Sequence, residues 1–143
     1  MSYQLNELSY MHDPDFHDGY LDGIHTTGKT VELALRHVSG DEFQMTLLGV
    51  ETFRADEFLL GNIVLDVRVT SGRRVPPDDL STLYLAPHPS VDRKVHEKHA
   101  EFIDGIITRI ERRDVILFEM SSSYGCTISA ICKGVEVLQL DKD

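Results

Sequence analysis

The chain has 143 residues, the size of one domain that buries a core without disulfides or metal ions as cross-links. It carries 14 basic and 24 acidic side chains, and the resulting net charge of −10 repels phosphate backbones and argues against nucleic acid as a partner. The N-terminus lacks the basic flank and apolar block of a signal peptide, and no apolar run approaches the length of a membrane span. These features predict a single domain over residues 1–143 with no membrane attachment.

The first half of the chain shows the pattern of half-buried strands. Apolar and polar side chains alternate with period two through residues 29–70, as they do in a sheet with one face on a core and one in water. In chain order we predict a polar loop at 3–19, a strand at 20–26, a hairpin of 31–35 and 43–47 around the turn Ser39-Gly40-Asp41, a corner at 52–58, and a fourth strand at 63–70.

The second half combines one helix with a return to strands. Residues 90–112 predict the helix, because apolar side chains recur there at steps of three, four and seven, and Pro89 stands where a helix start tolerates proline. The apolar stripe consists of Val91, Val95, Phe102, Ile103, Ile106 and Ile110. Around the helix we predict a loop at 72–79, a strand or single helical turn at 80–85, strands at 115–120, 126–133 and 135–140, and a turn at 121–125. The pattern predicts a mainly β (α+β) fold, an antiparallel β-sandwich or bent sheet with one principal helix.

Cys126 and Cys132 lie six residues apart in one alternating segment, on the same strand face. In a single extended strand they are too far apart to form a disulfide. They share that face with Ile128 and Ala130, so we predict buried free thiols in the core rather than a nucleophile. Reduced cysteines are typical of the cytoplasm, which is the predicted location.

One candidate metal site lies near the N-terminus, where His12, His17 and His25 accompany a run of aspartates. The spacing does not match a calcium-binding EF-hand loop, since Gly19 is seventh from Asp13 and the twelfth position lacks the required Glu. The favoured interpretation is a polar capping loop without metal.

A second candidate is the pair His96 and His99 on the predicted helix, with Asp92 one turn earlier. Metalloproteases place two histidines at i and i+4 with a Glu between them, and this pair is one residue short. A solvated helix face is the favoured interpretation. No phosphate loop, serine elbow or dinucleotide fingerprint is present in the sequence, so no catalytic residue and no cofactor is predicted.

Three short motifs carry a family resemblance: His17-Asp18-Gly19-Tyr20-Leu21-Asp22-Gly23-Ile24, Leu48-Gly49-Val50-Glu51 with Arg54, and Gly61-Asn62-Ile63-Val64-Leu65-Asp66. With the late cysteine strand, they resemble a group of small bacterial β-rich proteins similar to the immunity proteins that neutralise contact-delivered or polymorphic toxins. The resemblance covers most of the chain and supplies no catalytic residues. It implies a bacterial cytosolic protein that acts by binding another protein.

Three functional hypotheses follow. In the first, the protein is a non-catalytic binding module whose acids recognise a basic protein partner; the candidates are Asp13, Asp15, Asp18, Asp22, Asp56 and Glu57. In the second, the five histidines converge into a metal-binding or hydrolytic site. In the third, the protein is a self-associating structural protein, because Val38, Leu48, Val50, Ile131, Leu138 and Leu140 break strict alternation on nominally polar faces. The favoured alternative for these residues is a second core layer in a sandwich packed on both sides.

Overall fold

A computed structural model describes residues 3–141. Within that range lie ten strands: β1 (Gln4–Leu5), β2 (Met11–Asp13), β3 (Tyr20–Thr27), β4 (Thr30–Arg36), β5 (Glu42–Leu48), β6 (Thr52–Asp56), β7 (Asn62–Thr70), β8 (Ile116–Tyr124), β9 (Thr127–Cys132) and β10 (Gly134–Gln139). The same range holds a short 3₁₀ helix (Pro77–Leu80) and a helix α1 (Arg93–Glu111). The predicted mainly β fold with one principal helix is confirmed.

Eight of the strands form one antiparallel sheet in the order β10-β5-β4-β3-β7-β8-β9-β6, while β1 pairs with β2. Only Lys133 separates β9 from β10, and residues 49–51 separate β5 from β6, so these are two long paired strands that bend together. Backbone hydrogen bonds cross the bend from Lys133 to Leu48 and from Glu51 to Ile131, each at 2.8 Å. The sheet therefore curves back on itself.

The concave side of the sheet encloses the main core. Inward-facing side chains from both halves of the sheet meet there, as the alternation predicts. The largest buried members include Leu33 and Met45 from one half and Phe118 and Met120 from the other. Because the two halves share this apolar interior, neither half buries its apolar face without the other.

A second cluster lies on the convex side, where α1 covers β8 and β9. Ile106 and Ile110 of the helix are buried there with Leu117 and Ile131 of the strands. Arg109 secures the helix to the bend between β5 and β6 through a bidentate pair with Glu51, at 2.9 and 2.6 Å. Among residues 3–141, no helix is long and apolar enough to cross a membrane.

The helix begins at Arg93, where Asp92 caps it by accepting a hydrogen bond from the Lys94 backbone at 3.3 Å. The predicted apolar stripe is wrong at Val95 and Phe102, which are exposed. Ile103, Ile106 and Ile110 of the predicted stripe are buried, and Ile107 joins them. Phe102 packs edge-on against Tyr84, with ring centroids 5.1 Å apart, while half of its surface remains exposed.

Three predicted boundaries are corrected. Residues 3–19 contain β1 and β2, and residues 52–58 contain β6 rather than a corner. In β6 the side chains do alternate, with Phe53 and Ala55 packed against the core, but two apolar positions are too few to reveal a strand. β8 continues through Ser121 to Tyr124, because pairing with β7 accommodates the small hydroxyl residues.

Both thiols lie where the alternation predicts. Cys126 and Cys132 are free and buried, with Ile128 and Ala130 in the same core cluster. Burial raises the pKa of the Cys132 thiol to about 11, and it also raises the pKa of the Cys126 thiol. The nucleophilic thiolate is thus disfavoured at both positions.

Candidate partner-binding surface

The convex face of β7, β8, β9 and β6 is polar where α1 does not cover it. Its outward positions hold charged and hydroxyl side chains, and the strand register sets them in two cross-strand rows. One row is Arg54, Ser129, Glu119 and Arg68; the next contains the pairs Asp56 with Thr127 and Asp66 with Ser121. The Ser121 hydroxyl donates to the Asp66 carboxylate.

The segment between β2 and β3 adds acids to this face. Phe16 anchors the segment by packing edge-on against Phe43 in the core, with ring centroids 5.3 Å apart. On either side of Phe16, Asp15 and Asp18 remain near the surface, and the Asp18 backbone N–H donates to Val64 at 2.9 Å. Packing of one aromatic ring thus fixes two carboxylates beside β7.

His17 lies close enough to three of these acids for their charges to affect its pKa. Its Nδ1 lies 2.8 Å from the carbonyl oxygen of Leu65, and this hydrogen bond is the largest cause of the raised pKa of His17. The carboxylates of Asp18, Asp15 and Asp66 raise that pKa further. All three carboxylates therefore act on a single imidazole.

A cleft of about 230 Å³ lies between the two rows and the segment after the 3₁₀ helix. Its lining consists of Asp56, Thr82, Glu119, Met120, Ser121, Thr127, Ile128 and Ser129. Ser121, which lines the cleft, is the residue that donates to Asp66 of β7, so the cleft adjoins the acids beside β7. We call the set Asp15, Asp18, Asp56, Asp66 and Glu119 the acidic face.

Glu119 is the carboxyl group of this face that is least well satisfied. Its Oε1 is buried and has no hydrogen-bond partner, although Arg68 lies directly across from it and Arg54 lies beyond Ser129 on the other side. Both arginines bond elsewhere: Arg68 donates to the Leu8 carbonyl at 3.1 Å, and Arg54 donates to the Thr82 carbonyl at 2.9 Å and forms an ion pair with Asp56 at 3.0 Å. Glu119 Oε1 thus receives no hydrogen bond from either arginine, although the charge of Arg68 acts to lower the pKa of Glu119.

Burial is the main reason that the pKa of the Glu119 carboxyl is raised, and the charges of Asp79 and Asp66 add to the effect. A carboxyl group whose pKa is higher in the folded than in the unfolded state stabilises the fold below the unfolded value of about 4.3. That contribution is lost as the pH rises through the folded pKa.

We therefore expect Glu119→Gln to remove part of the pH dependence of stability. As the pH rises from about 4 to about 7, the free energy of unfolding of the variant should increase relative to that of the wild type, because glutamine cannot ionise. Denaturant unfolding at several pH values measures this difference, with Glu136→Gln on exposed β10 as the matched control. Parallel stability curves for wild type and Glu119→Gln would contradict it.

Of the predicted partner-binding acids, Asp15, Asp18 and Asp56 lie on the acidic face. Asp22 lies outside it, between β3 and β4, where it pairs with Arg36 at 3.0 and 3.2 Å, and Asp56 is likewise ion-paired, with Arg54 at 3.0 Å. Asp13 ends β2, and Glu57 opens the loop after β6.

Sequence reasoning missed Asp66 and Glu119. Their outward orientation was readable from the alternation with Val67 and Phe118, but their proximity depends on the β7–β8 register. Pairing between strands about fifty positions apart leaves no mark on a single sequence.

Next to the acidic face, the loop at residues 57–61 exposes apolar side chains. Phe58 and Leu59 are about half exposed, and Leu60 is 94% exposed. The loop is fastened by the buried side chain of Asn62, whose Oδ1 accepts from the Leu59 backbone at 2.8 Å and from the Cys126 backbone at 3.0 Å. We call residues 58–60 the apolar loop.

The candidate metal ligands do not converge. His12 is in β2, His17 lies between β2 and β3, and the Nε2 of His25 is 2.9 Å from the Thr27 hydroxyl at the end of β3. His96 and His99 are on α1. In the part of the chain that the structure describes, no group of three or more His, Cys, Asp or Glu side chains is arranged to hold a metal ion. The second hypothesis therefore lacks the convergence that it requires.

His99 does line a cavity of about 400 Å³ between α1 and residues 74–86. Its walls include Val75, Ala100 and Ile103, and Arg74 and Asp104 form an ion pair at its edge.

The residues that suggested self-association have different environments. Ile131 is buried beneath α1, and Leu48 and Val50 are half-buried. Val38 and Leu138 are exposed, at 60% and 53%, with Leu140 at 38%. The deviations from alternation at Ile131 therefore reflect a second core layer rather than a contact between copies.

Comparisons of the chain with family models, with curated proteins and with solved structures found no match.

Proposed function

We propose that this protein is a non-catalytic binding module whose acidic face docks a basic protein partner, the role of an immunity-type protein. The observation that supports the proposal is the gathering of five carboxylates from four separate segments onto one face, on which Arg54 and Arg68 also lie. Those segments are the 14–19 loop, β6, β7 and β8. We further propose a cytoplasmic location, consistent with two free, buried cysteines.

Electrostatics explains why such a face suits a basic partner. The net charge of −10 sets a long-range attraction for a cationic protein, and the cluster on the acidic face directs the approach to one side of the molecule. Fields of this kind raise association rates and disfavour partners of like charge. They also oppose pairing of two acidic faces in a homodimer.

The test uses amide substitutions that keep the local geometry. The triple variant Asp15→Asn, Asp18→Asn, Asp56→Asn removes three charges; asparagine preserves the Asp15 hydrogen bond to the His17 backbone and tolerates the positive φ of 63° at Asp18. The matched control, Glu42→Gln, Glu136→Gln, Asp141→Asn, removes three exposed charges from the β5 and β10 side.

We expect wild type and control to retain the same protein from a lysate of the source organism, and the triple variant to retain much less of it. The reason is that only the triple variant weakens the acidic face, while net charge is equal in both variants. Mass spectrometry identifies the retained protein and its isoelectric point. An acidic partner, or equal retention by both variants, would contradict the proposal.

A further inference from the structure

Leu60 is an unusual surface residue because its side chain is almost entirely in water. Phe58, Leu59 and Leu60 are consecutive, and Tyr124, which is half exposed, lies across from Ile63 just after the loop. Scattered exposed apolar residues are ordinary, but a contiguous group on one loop marks an interaction site more often. Burying such side chains against a partner releases water and stabilises the complex.

The apolar loop is held in one conformation before any partner arrives. Asn62 is 1% exposed. Besides the bonds that its Oδ1 accepts, its Nδ2 donates to the carbonyl oxygens of Leu59 at 2.7 Å and Leu21 at 3.2 Å, so the side chain ties the loop to β3. Glu57 and Gly61 bound the loop with positive φ angles of 60° and 75°. A loop that is already ordered loses little conformational entropy on binding.

The loop is also placed where the partner would arrive. A single residue, Glu57, separates the apolar loop from Asp56 of the acidic face. A surface that meets it must therefore accept apolar side chains at the centre and carboxylates at the rim. Binding hot spots have this arrangement, an anchor in a pocket surrounded by a polar rim.

We propose that the apolar loop is the anchor of the interface and inserts into an apolar pocket, bordered by arginine or lysine, on the protein partner. This inference rests on the proposed function and names the chemistry that the partner must offer. Leu60 supplies the inserted side chain, Asn62 fixes the loop backbone at Leu59, and Glu57 meets the basic border together with Asp56, which is ion-paired with Arg54.

The test makes the same change, leucine to serine, at two exposed positions. Leu60→Ser is expected to raise the dissociation constant about 30-fold, as the loss of a hot-spot side chain does. Leu138→Ser, on a β10 residue that is 53% exposed and away from the acidic face, should change it by less than about twofold. The probe is the protein retained by wild type and by the triple control variant, titrated by calorimetry against wild type, the amide triple variant and the two leucine variants; thermal unfolding verifies that the variants fold.

The outcomes separate the two proposals. If the amide triple variant weakens binding while Leu60→Ser binds as wild type does, the apolar anchor is wrong and the acidic docking face stands. If wild type retains no protein, both proposals fail. If Leu60→Ser weakens binding strongly and the amide triple variant has no effect, the claim that arginine or lysine borders the partner's pocket is wrong.

Discussion

Replacing Asn62 with alanine is expected to lower the free energy of unfolding by about 2–4 kcal/mol, although the substitution removes few atoms. The side chain makes four hydrogen bonds that join β3, the apolar loop and the start of β9. Without it, the buried backbone groups of Cys126 and Leu21 and the part-buried groups of Leu59 lose a partner that water replaces only in part. Urea unfolding monitored by circular dichroism measures the change.

Asn6→Ala is the matched control for this variant. The Asn6 Oδ1 also accepts two backbone hydrogen bonds, from Leu8 at 2.9 Å and Tyr10 at 3.0 Å, but in an exposed turn. Water can satisfy those groups, so the control should cost less than about 1 kcal/mol. Equal losses for the two variants would show that burial of the Asn62 amide does not hold the loop.

The second large effect is expected at Gly125, where alanine should cost more than about 2 kcal/mol. The residue adopts a φ of +83°, and a Cβ there would fall far inside van der Waals contact with the Asn62 amide. The substitution thus combines backbone strain with displacement of the residue that fastens the apolar loop. Thermal and urea unfolding of the variant give its magnitude.

Gly28→Ala separates those two costs. Gly28 has a φ of +59°, yet a Cβ there meets nothing within 4 Å, so only the conformational cost of about 1 kcal/mol applies. Similar losses at both glycines would mean that Gly125 has no special relation to Asn62.

Local patterns were sufficient for most of the fold. The alternation of Val31, Leu33 and Leu35 predicted both a strand and its inward face. The helix was also predicted, but the exposure of its Val95 was not, because burial of a helix residue depends on which other elements pack against that part of the helix. β6 was missed because two inward residues are too short a pattern to detect.

The candidate surface was only partly predictable, for a physical reason. Asp15, Asp18 and Asp56 were recognisable as acids in or next to loops, but Glu119 and Asp66 joined them only through strand register. Asn62 appeared in sequence as the start of a strand, and nothing local indicated that its amide would reach both Leu59 and Cys126. Long-range pairing decides these contacts, and a single sequence does not display it.

The most direct test of the acidic docking face is the association rate of the purified partner as a function of salt. Between about 0.01 M and about 1 M salt, the Debye length falls from about 30 Å to about 3 Å, so long-range steering is switched off. We expect the wild-type rate constant to fall at least about tenfold over this range and the amide triple variant to show a much flatter dependence. A wild-type rate that does not change with salt, or a triple variant with the wild-type slope, would contradict the account.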